Sequence, residues 1–162
     1  QTQKPFEVHL MTTDPLAWID PFAEAGADVF IFCFDAVPDP GAVLKAIKAS
    51  GKQAGVSLLI TEDLDLLAPH WQYLDVLTVV GTAMGIKGAS MDAGVPDKIR
   101  RARRHIDQNG LPTLIQADGG IRRETVPLLA AAGADYIVPG SLMFKEDPVA
   151  MRQWLATLKR DL

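Results

Sequence analysis

Residues 113–121 read Thr-Leu-Ile-Gln-Ala-Asp-Gly-Gly-Ile, an apolar run that ends in a carboxylate and two glycines. The run Thr113–Ala117 predicts a buried strand, and Asp118 follows it directly. Burying a carboxylate at that point is costly unless a metal, a hydrogen-bond donor or a substrate meets it. The alternative is that Asp118 caps the next helix, although Gly119 and Gly120 make the spacing to that helix long. The segment therefore predicts a strand that carries a functional group at its carboxyl end.

Further short apolar runs surround this segment, and longer amphipathic stretches separate them. This alternation is typical of βα units on a parallel sheet. The predicted strands are Phe6–Met11, Val29–Phe34, Gln53–Leu59, Val76–Val80, Thr113–Ala117 and Tyr136–Pro139. The predicted helices are Pro15–Ala25, Ala42–Ser50, Leu64–Trp71, Pro96–Asn109, Glu124–Ala132 and Val149–Lys159. No linker or low-complexity tract interrupts them, so residues 1–162 are predicted to form a single domain.

The helix ends carry their own signals. Asp14-Pro15 and Asp147-Pro148 each place an N-cap carboxylate before a proline, whose missing N–H costs nothing at the first helical position. Glycines favour the left-handed conformation with which many helices end. They are expected to end four helices, at Gly26, Gly51, Gly110 and Gly133.

The composition excludes several classes of partner. The 162 residues are 48% hydrophobic and 22% charged, with a formal net charge of −4. We therefore expect no nucleic acid partner, and a phosphate would have to be held locally. The apolar runs are too short for a membrane span. Because Cys33 is the single cysteine and residues 1–4 lack a signal-peptide pattern, a cytoplasmic protein is expected.

Polar and glycine-rich sequence also follows other predicted strands. In parallel βα folds, functional groups collect at the carboxyl ends of the strands. His9 lies in the first strand, either as a satisfied core residue or as a ligand. Lys87 either adds a cation to its loop or is simply solvated. Glycine-rich loops whose N–H groups suit a phosphate contain Gly85 and Gly88, Gly119 and Gly120, and Gly140 and Ser141.

Other candidate residues are predicted to be structural. His70 and His105 fall on or beside helices and are expected at the surface. Cys33 is expected to be buried as a small apolar side chain. The tryptophans are expected to pack against the sheet: Trp18, Trp71 and Trp154.

These motifs, taken in order, resemble those of ribulose-phosphate 3-epimerases. Val8-His9-Leu10-Met11, with Asp14-Pro15 after it, is similar to the third βα unit of that family. Ala117-Asp118-Gly119-Gly120-Ile121 and Gly140-Ser141-Leu142-Met143-Phe144 resemble its seventh- and eighth-strand motifs. The resemblance implies an α/β fold, the TIM (β/α)8 barrel, with this chain supplying about strands 3 to 8. A doubly wound, flavodoxin-like sheet would also hold the predicted βα units, but histidine and aspartate motifs at widely separated strand ends favour the barrel.

The resemblance also implies a reaction and a site. The reaction is inversion of C3 of a ketose phosphate, ribulose 5-phosphate to xylulose 5-phosphate or a close analogue, through a cis-enediolate. A divalent cation (Zn, Fe, Mn or Co) would be bound by His9 and Asp118, and Asp118 would also be one of two acid/base groups. Met11 would pack over the enediolate. The phosphate would be held by Gly85, Ile86, Lys87, Gly88, Gly119, Gly120, Gly140 and Ser141, and a homo-oligomer is expected.

The sequence departs from the family in two respects. The family's first two strands, which carry a serine and a His-x-Asp motif, have no counterpart before His9. We expect the chain to be a fragment of a complete barrel, because two open parallel edges are avoided in soluble proteins. In addition, Lys87 replaces a glycine and Cys33 replaces a histidine. These replacements leave open another ketose phosphate, such as an allulose or erythrulose phosphate, as the substrate.

Two other functions stay open at this point. One is a phosphosugar lyase or isomerase on a related barrel, although the Asp-x-Lys-x-x-Asp motif of the decarboxylases is not found here. The other is a catalytically inactive phosphosugar-binding or assembly module of the same fold. A His-x-Asp motif at the end of a second strand would favour the enzyme.

Overall fold

The computed structural model of the chain describes residues 3–83, 88–145 and 147–158. Its strands are β1 (Glu7–Leu10), β2 (Val29–Cys33), β3 (Gln53–Leu59), β4 (Val76–Val80), β5 (Leu114–Asp118) and β6 (Tyr136–Val138). Its helices are α1 (Leu16–Glu24), α2 (Pro40–Ala49), α3 (Val95–Asn109), α4 (Val126–Ala132), α5 (Ser141–Lys145) and α6 (Pro148–Leu158). The predicted strands are confirmed, with bounds that shift by at most one residue.

The strands form one parallel sheet in the order β1-β2-β3-β4-β5-β6. Each strand pairs with the next along the chain, and every pairing is parallel. A doubly wound sheet would reverse its strand order at a switch point. The sequential order therefore excludes the flavodoxin-like alternative and is that of a (β/α) barrel. Within the described residues, β1 and β6 have no second strand partner.

The two faces of the sheet bury different residues. The outer face packs against the helices, and its fully buried side chains include Phe30, Phe32, Val56, Leu58 and Leu77. The inner face carries the alternate positions, as the period of a β-strand requires. A small apolar cluster lies there and contains Val29, Ile31 and Val76, with Tyr136 packed against it.

The predicted helix Leu64–Trp71 is wrong. The structure has two short 3₁₀ turns instead, Leu64–Leu67 and Trp71–Tyr73. Pro69 lies between them, and a proline inside an α-helix removes a backbone donor and clashes with the preceding turn. The amphipathic pattern of this segment buries Leu64, Leu67 and Trp71 without a continuous helix.

The predicted helix ends are confirmed, except that α1 begins one residue later, with Pro15 rather than Asp14 at its N-cap. The Asp147 carboxylate accepts hydrogen bonds from Val149 N (2.9 Å) and Ala150 N (3.1 Å) at the start of α6. Asp14 accepts a longer one from Ala17 N (3.4 Å) at the start of α1. All four predicted end glycines, at 26, 51, 110 and 133, have positive φ. Helix α5 was not predicted, because it is only five residues long and follows the glycine-rich end of β6.

The aromatic residues follow the predictions only in part. Trp71 is buried and Trp154 packs against the main core, as predicted. Trp18 does not pack on the sheet: it is 47% exposed and contacts the ring of Phe22 on its own helix. The reason is that α1 lies beside β1, which forms one edge of the described sheet. No other described element covers that edge. His70 and His105 are half-buried against the rings of Phe34 and Trp71 rather than fully at the surface.

None of the described helices combines the length and the apolar character that crossing a bilayer requires.

Candidate active site

The carboxyl ends of neighbouring strands surround a cavity of about 130 Å³, here called the central cavity. It is lined by His9, Met11, Cys33, Asp35, Ser57, Leu59, Val80, Thr82, Asp118 and Gly119. Because strands β1 to β5 are parallel and in register, their carboxyl ends bring residues between positions 9 and 119 of the sequence to one place. The structure thus places His9, Met11 and Asp118 around one cavity.

His9 lies on the inner face of β1 and contacts two neighbouring strands. Its Nε2 atom is 3.1 Å from the Ser57 Oγ of β3 and 3.9 Å from the Cys33 Sγ of β2. Burial lowers the pKa of His9, and the negative charges of Asp118 and Glu7 oppose that shift. Burial favours the uncharged imidazole, which is the form that can coordinate a metal. The Ser57 hydroxyl can instead donate to the Phe32 carbonyl oxygen, 3.4 Å away. Its hydrogen bond with the His9 nitrogen is therefore not obligatory.

Asp118 ends β5 and faces the same cavity. Its backbone carbonyl accepts a hydrogen bond from Gly81 N (2.7 Å), which continues the ladder between β4 and β5. Its carboxylate does not cap a helix, because α4 begins only at Val126. Within the described residues, no hydrogen bond reaches this carboxylate. The helix-cap alternative is therefore excluded, and a partly buried carboxylate faces the cavity.

A second cavity, of about 180 Å³, adjoins the first and is here called the glycine cavity. It is lined by Thr82, Gly88, Ala89, Asp118, Gly119, Gly120, Ile121, Arg122, Val138, Pro139, Gly140 and Ser141. Thr82, Asp118 and Gly119 border both cavities. Every described residue of the predicted phosphate set thus lies around one space. Gly85, Ile86 and Lys87 lie outside the described residues.

Gly119 and Gly120 have backbone conformations that require glycine. Their φ angles are +85° and +68°, a region that other residues adopt only with strain. A Cβ on Gly119 would lie 2.6 Å from the Thr82 Oγ1, and one on Gly120 would overlap the backbone of Met91. The loop after β4 therefore packs directly on these two glycines, and the backbone of both loops is exposed to the glycine cavity.

Cys33 is buried, as predicted, but it also borders the central cavity. Burial raises the pKa of its thiol. The thiol form is therefore favoured, and it is a weak nucleophile and a poor metal ligand.

Several cavity residues were missed by sequence reasoning. Ser57 is a polar residue within the apolar run of β3, and that is a signal that could have been used. Asp35 and Thr82 each lie two residues beyond the end of a strand, β2 and β4. Functional residues were expected at such positions. Arg122 lies shortly after the Asp-Gly-Gly motif, but no sequence pattern marks it as a cavity residue.

The described residues contain no group of three or more histidine, cysteine or acidic side chains arranged to hold a metal ion. His9 and Asp118 bring an imidazole nitrogen and a carboxylate to a single cavity, and these are suitable ligands for Zn, Fe, Mn or Co. Two donors alone do not make a complete metal site.

The fold defines the chain as part of a TIM barrel, with polar side chains gathered at the carboxyl ends of its strands. The structure is similar to that of a mutant tryptophan synthase alpha-subunit from Pyrococcus furiosus, with a TM-score of 0.69 over 98% of this chain and 66% of that chain, at 15% identity. A putative phosphonomutase from Burkholderia cenocepacia J2315 gives a TM-score of 0.53 at 18% identity, over 82% of this chain and 68% of that one. At these identities the likeness shows the fold alone.

Sequence comparison identifies the family within this fold. The model of the "Ribulose-phosphate 3 epimerase family" matches residues 1–144. The chain is 34% identical to the ribulose-phosphate 3-epimerase of Mycobacterium tuberculosis (strain ATCC 25618 / H37Rv) over 160 residues, which cover 98% of the chain and 69% of that protein. It is 33% identical to that of Bacillus subtilis (strain 168) over 144 residues, or 88% of the chain and 66% of that protein. The chain belongs to the ribulose-phosphate 3-epimerase family, whose members are carbohydrate epimerases of the isomerase class. The predicted family, barrel fold and enzyme class are confirmed.

Proposed function

We propose that the protein inverts C3 of a ketose phosphate, ribulose 5-phosphate to xylulose 5-phosphate or a close analogue. The observation that carries the proposal is that Asp118 and Thr82 border both cavities. A substrate whose phosphate occupies the glycine cavity would extend its carbon chain past Asp118 into the central cavity. Family membership supports the same reaction class.

In this proposal Asp118 removes or returns the proton at C3 on one face of the substrate. Its carboxylate is free of hydrogen bonds within the described residues, so its lone pairs are available to a C–H group. Inversion through a cis-enediolate needs a second acid/base group on the opposite face of C3. Met11, which is 70% exposed at the rim of the central cavity, would cover the enediolate with an apolar surface.

Phosphate binding is assigned to backbone N–H groups of the glycine cavity. The loops at Gly88, at Gly119 and Gly120, and at Gly140 and Ser141 each approach this cavity. Glycine leaves their N–H groups accessible to an anion, and successive N–H groups in such loops form concave anion sites. Gly85, Ile86 and Lys87 are proposed to complete the first loop.

A divalent cation (Zn, Fe, Mn or Co) is proposed to bind at His9 and Asp118, with further ligands from outside the described residues. Such a cation would polarise the substrate ketone and stabilise the negative charge of the enediolate. Burial lowers the pKa of His9 and so favours the uncharged imidazole, the form that coordinates a cation. The cytoplasm is the proposed location and a homo-oligomer the proposed assembly.

The experiment that tests this function is an epimerisation assay of the purified protein with ribulose 5-phosphate and with allulose and erythrulose phosphates. We expect turnover of at least one ketose phosphate and no turnover of the matching unphosphorylated sugar. Binding of these compounds without turnover would contradict the enzyme and identify a phosphosugar-binding module of the same fold.

A further inference from the structure

Arg122 places a guanidinium group beside the glycine cavity. The residue is half-buried and lines the cavity. Its Nη1 atom donates to the Ile121 carbonyl oxygen (2.8 Å), and Nη2 lies 3.4 Å from the Gly88 carbonyl oxygen. The guanidinium therefore reaches from the loop after β5 to the loop after β4. These are two of the three loops that surround the cavity.

The backbone of Arg122 is fixed by a short hydrogen-bonded loop. Arg122 N donates to the Thr125 Oγ1 (2.8 Å), and this oxygen lies 3.1 Å from the Gly120 carbonyl oxygen. Thr125 thus ties together the Gly120 and Arg122 ends of the turn before α4. A side chain that starts from a fixed backbone loses less conformational entropy when it binds a ligand.

The charges around the glycine cavity make this cation significant. Asp118, which also lines the cavity, brings a negative charge. A phosphate monoester carries close to two negative charges near neutral pH. Among the described residues that line the cavity, Arg122 is the one cationic side chain. Without Arg122, the described lining of the cavity would offer a phosphate backbone N–H groups and the Asp118 carboxylate, but no positive charge.

We propose that Arg122 is a specificity-determining residue for phosphorylated substrates, an inference that rests on the phosphate site of the proposed function. Its guanidinium donates to a phosphate oxygen while its contacts with Ile121 and Gly88 hold the two loops at the correct distance. Arginine suits both roles because its planar guanidinium group carries five N–H donors and keeps its charge at all relevant pH values. Charge-assisted bonds from guanidinium to phosphate are among the stronger hydrogen bonds in proteins.

The test compares Arg122→Gln and Arg122→Lys with wild type, using inorganic phosphate as the probe in calorimetric titrations. Arg123→Gln is the matched control, because the Arg123 guanidinium instead lies 4.9 Å from the ring centre of Trp154. We expect Arg122→Gln to weaken phosphate binding about ten- to a hundredfold. Arg122→Lys should weaken it less, since it keeps the charge, and Arg123→Gln should bind as wild type does.

The dependence of the phosphate Kd on ionic strength separates a direct contact from a purely structural role. Loss of a phosphate-contacting charge should flatten this dependence in Arg122→Gln but not in Arg122→Lys. Equal affinity in wild type and Arg122→Gln, or a weaker affinity with an unchanged ionic-strength dependence, would overturn the role of Arg122 and leave the proposed function standing. No phosphate binding by the wild type would overturn the proposed phosphate site and this inference together.

Discussion

The Glu7 carboxylate accepts a hydrogen bond from Gln116 Nε2 at 2.7 Å, although 109 residues separate the two in sequence. Glu7 belongs to β1 and Gln116 to β5, so the bond crosses the inner face of the sheet. Tyr136 OH of β6 donates to the other Glu7 oxygen (3.1 Å), and Thr78 of β4 donates to Gln116 Oε1 (2.7 Å). Strands this far apart in the sheet can share side-chain bonds only because the sheet is strongly curved.

This network lies directly below the candidate site. Glu7 precedes His9 by two residues on β1, and Gln116 precedes Asp118 by two residues on β5. Successive inward-facing residues of a strand occupy successive layers of a barrel interior. The bond between Glu7 and Gln116 therefore fixes the separation of the two strands that carry the proposed metal ligands.

Removing this network should destabilise the protein. Gln116→Leu removes the acceptor of Thr78 and one of the two donors to Glu7, and we expect the free energy of unfolding to fall by about 1–3 kcal/mol. Urea denaturation measures the change. Glu24→Ala, at an exposed position of α1, is the control and should change it by less than about 0.5 kcal/mol. Equal stability of Gln116→Leu and wild type would show that this network does not stabilise the fold.

Gly120→Ala should lower the free energy of unfolding by more than the strain of a positive φ angle alone would. The substitution strains a residue at φ +68° and also forces its Cβ against the Met91 backbone. Gly51→Ala is a matched control, because Gly51 has φ +75° and open space around an added Cβ. The control should lose about 1–2 kcal/mol from φ strain. Gly120→Ala should lose more and should bind inorganic phosphate less tightly; equal losses in the two variants would contradict the packing of the two loops.

The buried Lys98 should make the free energy of unfolding depend on pH. Its Nζ donates to the carbonyl oxygens of Leu59, the last residue of β3, and of Glu62 in the turn that follows. Burial lowers its pKa in the folded protein, with Glu62 and Asp63 opposing the shift. Between the folded and the ordinary pKa, the unfolded chain binds more protons, so the free energy of unfolding should rise with pH in that interval.

The pH effect is measured by urea denaturation at a series of alkaline pH values. We expect the rise to be absent in Lys98→Met, which keeps the buried stem, and present in Lys45→Met, which removes an exposed lysine. The same slope in Lys98→Met and wild type would assign the effect to another group.

Metal content should depend on His9. Elemental analysis of the purified protein is expected to find a divalent cation in wild type and a lower stoichiometry in His9→Ala, because one of the proposed donors is lost. His70→Ala is the control, since His70 packs against Phe34 away from both cavities. An unchanged metal content in His9→Ala would remove His9 from the ligand set.

Local patterns predicted much of this architecture, and long-range contacts explain what they missed. Asp118 and the glycines after it could be found because strand, strand end and turn are all encoded within nine residues. The contact between His9 and Ser57 joins residues 48 apart and depends on the register of β1, β2 and β3, which no local pattern specifies. The network of Glu7 and Gln116 depends in the same way on curvature.

Where a prediction was wrong, contacts with other parts of the fold had overridden the local sequence pattern. The segment Leu64–Trp71 has the periodicity of a helix, but Pro69 breaks it, and burial of its apolar side chains is achieved by turns. Trp18 has the character of a core residue, yet it lies on the helix beside the edge strand β1. Arg122 could not be assigned from sequence because its position against Gly88 arises from two loops that meet only in the fold.

The most direct test of the account is exchange of the C3 hydrogen of ribulose 5-phosphate with deuterated solvent, followed by mass spectrometry. Asp118→Asn keeps the shape of the side chain but removes the base, and we expect the exchange rate to fall by about a hundredfold or more. Asp20→Asn, on the exposed side of α1, should exchange as fast as wild type. Exchange by Asp118→Asn at the wild-type rate would contradict the assignment of Asp118 as an acid/base group at C3.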